Sequence, residues 1–277
     1  MTAMFVEVPG ARIHVVDDGR ERDAPLVLLH AGIADLRSWN ALVPLLRDAE
    51  YRVIRFDARG AGETESEPTS FSRVDDVLAV LDARGIDRAV LVGNSLGGMT
   101  AIDTAITAPD RVAAVVGVAA GLGGFDGGLT SLEAQLFGEM EALENANPPD
   151  PAAIADIDVR VWVDGPGQPP DRVPAAVRDQ VREMDVGSYA PGRETGDLIR
   201  LSPPAVERLS ELRCPVLAVA GLLDASEVAA TARHLEANAP NARAEIWPHV
   251  AHMIGMEVPD ELAAEIVEFL APLPRWS

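Results

Sequence analysis

The chain is predicted to fold as a doubly wound α/β domain: a mostly parallel sheet of about eight strands, with a helical segment inserted late in the sequence. Three observations carry this. Short β-branched runs alternate with helical patterns along most of the 277 residues. Several runs, LVLLH, AVLVG and VAAVVGVA, are apolar without alternation, as strands buried on both faces are. The rhythm breaks once, after Ala120, and resumes at Cys214.

Taken in order, Phe5–Val8 and Arg12–Asp17 lie too close for an intervening helix and predict an antiparallel hairpin at one sheet edge. Further strands are expected over Pro25–His30, Arg52–Asp57, Ala89–Gly93, Val112–Val118, Pro215–Ala220 and Ala244–Trp247. Helical patterns fall between them, near Ser38–Leu46, Ser72–Arg84, Gly97–Ala108, Glu227–Asn238 and Asp260–Leu270. The glycine cluster GLGGFDGG reads as a hinge, because no helix start with a following lysine supports a phosphate cradle. Beyond it, helical stretches such as SLEAQLFGEMEALENA alternate with the proline-rich joints NPPDP and GPGQPP. Residues 1–120 and 205–277 are therefore expected to form the core domain, with 121–204 as a helical cap on the sheet.

Composition excludes several functions. Forty-four acidic residues against 23 basic ones give a net charge of −21, which repels phosphate backbones and anionic membranes. Every basic residue is arginine. Without lysine there is no Schiff base, no lysine-anchored pyridoxal phosphate, no Ser-Lys dyad and no Walker-type loop. The one cysteine, Cys214, begins an apolar run and is expected to be a buried thiol. Neither a metal nor an organic cofactor is expected, and the partner is a small molecule rather than nucleic acid or membrane. The N-terminal stretch lacks a basic head followed by an apolar core, and no apolar run reaches about 18 residues, so a cytoplasmic location is expected.

The sharpest motif is Gly93-Asn94-Ser95-Leu96-Gly97, the G-x-S-x-G pattern, set between a buried strand and a helix start. A sharp strand-to-helix turn strains the serine backbone, and small residues two before and two after avoid collision. The Ser95 hydroxyl is then lifted beside unpaired helix N–H groups. A serine hydroxyl needs a base, and the base needs an orienter. Of the five histidines, His14 and His234 read as structural or solvated, and His30 as a loop tie. His249 and His252 follow the last strand, and position favours His252 with His249 as the alternative. Asp224, at the end of the penultimate strand, is the candidate orienter, although it also stands where a helix cap would. The order is Ser95, Asp224, His252. Oxyanion donors are expected at the N–H of Leu96 and of Gly32, with Ile33 in place of Gly32 as the alternative.

These pieces resemble the α/β-hydrolase superfamily: LLHAG at the oxyanion loop, FDARGAGET at the D-x-R-G turn, GNSLGG at the elbow, GLLD at the acid and HVAHM at the base. Three positions depart from the usual pattern: Ala31 within the HG loop, Thr64 in place of a serine, and Met253 after the histidine. Asp57 and Arg59 are expected to be structural. Ser95 separates the chain from haloalkane dehalogenases and soluble epoxide hydrolases of that superfamily, which carry aspartate there. The resemblance implies a serine hydrolase of the esterase, enol-lactonase and perhydrolase branch, cleaving a small-to-medium ester or lactone through an acyl-enzyme. A C–C bond hydrolase and a cofactor-free perhydrolase share the triad. A ligand receptor with little turnover is the reading from another class. In the cap, Met140, Trp162, Met184 and Tyr189 are candidate pocket residues, and Arg160 or Arg193 would be needed to accept an anionic substrate.

Overall fold

The computed structural model describes residues 2–190, 193–274 and 276. Strands β1 (Thr2–Val8) and β2 (Ala11–Asp18) pair antiparallel, from Thr2 opposite Asp17 to Val8 opposite Ala11. β2 also pairs antiparallel with β4 (Tyr51–Phe56), which runs parallel to β3 (Ala24–Leu29). The sheet continues in parallel through β6 (Ala89–Asn94), β7 (Val112–Val118), β8 (Val216–Gly221) and β9 (Ala242–Trp247), in the order β1-β2-β4-β3-β6-β7-β8-β9. A two-residue strand, β5 (Glu65–Ser66), adds a ninth member against β2. Its two residues are too few to carry a periodic signal.

Every residue of β6, β7 and β8 is buried, which explains their unbroken apolar runs. Helices cover both faces. Helices α2 (Arg73–Ala83), α3 (Leu96–Thr107) and α7 (Ser226–Asn238) pack Val80, Ile102 and Leu235 into one core. On the other face, α1 (Leu42–Asp48) and α9 (Pro259–Leu270) supply Leu42, Leu46 and Ile266; the short α8 (Ile254–Glu257) leads into α9.

The helix expected over Ser38–Leu46 is split into a 3-10 turn, Leu36–Trp39, and α1. Pro44 is the reason. It lacks an N–H, and a helix running through it from Ser38 would lose a hydrogen bond and collide with the preceding turn. Starting at Leu42 places Pro44 in the first turn, where no donor is needed.

Between β7 and β8 lie α4 (Ser131–Glu144), α5 (Pro151–Asp158) and α6 (Ala175–Ser188), with a π-helical turn over Val159–Asp164 directly after α5. Thr130 and Glu133 form a capping box at the start of α4, and Asp150 caps α5. Glu133 does double duty: its carboxylate also accepts from the Ser226 N–H at 2.6 Å and hydroxyl at 2.7 Å, tying α4 to the start of α7. Val159, Val163, Val181 and Met184 share a cluster with Ala31, Ala34 and Met253 of the sheet-edge loops.

Asp158 and Asp185 are buried where α5 meets α6. Burial pushes both carboxyls up, and each faces the other as well as Glu144; Asp158 also takes a hydrogen bond from Trp162.

Candidate active site

β6 runs directly into Ser95, whose backbone sits at φ 54°, ψ −111°, a strained position for a residue with a side chain. The strain is held from several sides. The Ser95 N–H donates to the Val118 carbonyl at 2.9 Å, and the Ser95 carbonyl accepts from Met99 at 2.9 Å and Gly121 at 3.1 Å. The flanking glycines are required by contact: a β-carbon at Gly93 would lie 2.2 Å from the Gly97 carbonyl oxygen, and one at Gly97 2.1 Å from that of Leu29. No side chain fits at either place.

Asp224 and His252 come together from β8's following turn and the loop after β9. Asp224 Oδ2 accepts from His252 Nδ1 at 2.7 Å, and Oδ1 accepts from the Ala225 N–H at 2.7 Å. Both side chains are almost fully buried. Asp224 makes no capping bond to α7, so the rival role open in the sequence is not taken up; Glu133 meets Ser226 there instead. Because Nδ1 is bonded to the carboxylate, Nε2 of His252 is the nitrogen left to face the cavity. His249 is elsewhere: it is half-exposed, 3.1 Å from Glu261.

Ser95 and His252 line one cavity of about 170 Å³ with Met99, Leu122, Trp162 and Glu227. The indole of Trp162, from the π-helical turn, lies over the His252 ring with centroids 4.6 Å apart and stacks in turn on Phe137 at 5.5 Å. Burial, then the nearby Asp224 and Glu133, push the Glu227 carboxyl above its ordinary range. Of the other residues considered in the sequence, Met140 packs with Leu136 and Ile157, Met184 is buried in the cluster with Val181, and Tyr189 is largely exposed. Arg160 faces Glu139 at 3.7 Å, and Arg193 donates to the Thr64 carbonyl at 2.8 Å.

The loop after β3 lies beside the start of α3. Ala34 N–H donates to Ala31 at 3.1 Å, closing a turn over Gly32 and Ile33. A β-carbon on Gly32 would lie 3.7 Å from the Leu96 side chain, so the turn adjoins the start of α3. Among the described residues, the N–H groups of Gly32, Ile33 and Leu96 have no backbone acceptor. His30 fixes this loop: Nε2 accepts from the Ala58 N–H at 2.9 Å, which leaves the proton on Nδ1 to donate to the Ala31 carbonyl at 2.7 Å.

Asp57 and Arg59 build the neighbouring turn. Asp57 accepts from His14, Leu36 and Glu63, each at 2.8 Å, and these donors hold its carboxyl low against the opposing effect of burial. Arg59 pairs with Asp76 at 2.8 Å. Burial pushes the Cys214 thiol up to about 11, leaving it un-ionised at neutral pH. Among the described residues, no group of three or more His, Cys, Asp or Glu is placed to hold a metal ion, and no helix is long and apolar enough to cross a membrane.

Sequence reasoning missed three features: the tie from Asn94 to the His252 loop, the Asp158–Asp185 pair, and Arg73, which has no hydrogen bond or ion pair among the described residues. Each arises from contacts between distant segments and leaves no local pattern.

Residues 24–259 match the family described as alpha/beta hydrolase fold. Epoxide hydrolase B of Mycobacterium tuberculosis is 36% identical over 150 residues, half of this chain, and the match spans 42% of that protein's length. A hydrolase from Pseudomonas aeruginosa PA01 superposes with a TM-score of 0.73 at 25% identity, covering 97% of this chain and 98% of that one. The enol-lactonase from Burkholderia xenovorans LB400 gives 0.75 at 24% identity, covering 97% and 100%, a likeness of fold. With the family match spanning most of the sheet and the elbow, the chain belongs to the α/β-hydrolase fold family.

Proposed function

We propose that the protein is a serine hydrolase acting on a small-to-medium carboxylic ester or lactone. The observation that carries this reading is the 2.7 Å bond from His252 to Asp224, with the same histidine lining one cavity with Ser95. In this reading, Ser95 Oγ attacks the substrate carbonyl while His252 Nε2 takes its proton. Asp224 holds the imidazole in the Nδ1–H tautomer and stabilises the charged ring. The oxyanion is received by the Leu96 N–H and by that of Gly32 or Ile33. His252 then hands its proton to the departing alcohol. Water activated by His252 releases the acid and restores Ser95.

Similarity to an epoxide hydrolase does not extend that chemistry to this chain, because Ser95 offers no carboxylate for an alkyl-enzyme ester. Residues 121–204 act in this reading as a cap, with Trp162 forming the ceiling over the base.

The test is steady-state hydrolysis of p-nitrophenyl esters from acetate to decanoate by wild type and Ser95→Ala. Multiple turnovers that fall by at least about 10³-fold in the variant support the hydrolase. A single burst that stalls points to a receptor that is acylated once. Full activity in Ser95→Ala removes the assignment.

A further inference from the structure

A second, larger cavity of about 370 Å³ lies along α3, walled by Arg73, Met99, Asp103, Thr107, Arg200 and Leu201 among others. Met99, Asp103 and Thr107 are spaced four residues apart along α3, which starts directly after Ser95. Met99 lines both this cavity and the one holding Ser95 and His252. Its unbranched thioether is a wall that can swing without a backbone shift.

Arg73 is the unusual member. It is partly buried at the first position of α2, where the helix dipole opposes a cation. Among the described residues it has no hydrogen bond and no ion pair, while most other arginines in the protein are bonded to a carboxylate or a carbonyl. It also lines a small neighbouring cavity with Leu96 and His30. Arg200, exposed and likewise unpaired among the described residues, stands in the same large cavity. Burial lowers the Arg73 pKa, with Arg200 adding to it and Asp103 and Asp76 only partly offsetting it, so an anion placed in the cavity would gain a guanidinium that no carboxylate of the protein hydrogen-bonds.

We propose that this cavity is a subsite for a carboxylate at the far end of the substrate's acyl chain, with Arg73 as its principal donor and Arg200 assisting. This rests on the reading of Ser95 as the acylated residue. Arg160 and Arg193, the arginines the sequence suggested for such a role, are spent elsewhere. Ser95 and Asp103 are eight residues apart, about 12 Å along the helix, which sets the reach of the chain. The charges facing Arg73 are the carboxylates of Asp103 and Asp76, the latter already paired with Arg59, and the like charge of Arg200; Asp75 stands on the exposed rim. Burial pushes the Asp103 carboxyl up to about 6 against the pull of Arg73 and Arg208, and its Oδ1 is buried without a partner. A ligand carboxylate beside it favours the protonated form, which then donates to the ligand.

The test has two arms. Calorimetry with the Ser95→Ala protein needs no turnover: suberate should bind at least ten-fold tighter than octanoate, and Arg73→Gln should remove that difference while Arg73→Lys restores part of it. Asp103→Asn should keep suberate binding and abolish its weakening between pH 6 and 8. In the second arm, wild type should favour the mono-p-nitrophenyl ester of suberate over p-nitrophenyl octanoate by at least ten-fold in kcat/KM, chiefly through KM, and over the shorter succinate monoester. Thermal melts check that the Arg73 variants are folded. Binding of suberate without turnover of any ester would overturn the Ser95 reading and leave the subsite standing. Ester turnover with equal binding of suberate and octanoate, or with Arg73→Gln unchanged in folded protein, would overturn the subsite alone.

Discussion

The side-chain amide of Asn94 donates to the carbonyl oxygen of His252 at 3.2 Å, joining residues 158 apart in sequence. The same amide donates to the Val118 carbonyl at 3.1 Å. One side chain thus fastens the loop bearing the candidate base to the strand that delivers the candidate nucleophile. Asn94→Ala takes from the His252 carbonyl its side-chain donor, while the Val118 carbonyl keeps the Ser95 N–H, at a cost of about 1–3 kcal/mol. A melting temperature lower by about 4 °C is expected, with kcat reduced about ten-fold and KM little changed, measured by calorimetry and ester hydrolysis.

Gly97→Ala addresses the elbow itself. A methyl group 2.1 Å from the Leu29 carbonyl oxygen forces the start of α3 away from β3. Destabilisation of about 3 kcal/mol and loss of most activity should accompany each other. A variant with wild-type melting and rates would show that the turn has slack the geometry denies it.

Trp162→Ala removes the ring above His252 and its stack on Phe137. Removing a large aromatic from a packed site costs about 3 kcal/mol. The expected kinetic signature is unequal: kcat/KM for the octanoate ester falls at least ten-fold, and that for acetate falls much less. An equal loss on both esters would place Trp162 in the support of His252 rather than over the acyl chain.

Asp185 gives a prediction in pH. Burial and the neighbouring Asp158 raise its folded-state pKa to about 8, against about 4 in the unfolded chain. Between these values the folded protein retains a proton that the unfolded chain has released, so stability falls as pH rises through that window and levels off above it. Asp185→Asn should flatten this decline. The variant melts higher than wild type at pH 8 and converges with it near pH 4 in a pH series of thermal scans.

The sheet was legible because β6, β7 and β8 are buried on both faces and so carry uninterrupted apolar runs. Ser95 was legible because its turn demands glycines at fixed spacing, and chemistry of that kind is written locally. The choice between His249 and His252 rested on loop position; side-chain burial and the bond to Asp224 separate them in space. Trp162 was one of four residues of the 121–204 segment that sequence could not rank, since its contact with His252 depends on how a segment 90 residues away is set down. Arg73 reads as an unremarkable helix residue. Its significance lies in having no hydrogen bond or ion pair among the described residues, which only the surrounding fold defines.

The π-helical turn Val159–Asp164 carries Trp162 and lies between two ordinary helical segments of the 121–204 region. Such a turn holds one more residue than an α-helix would, and each residue advances a helix by about 100°. Shortening it by one residue would swing the indole out from above His252 while leaving the sheet, the elbow and the Asp224 bond untouched. In the reading of His252 as the base, the length of that turn therefore sets what stands above it independently of the strand ends.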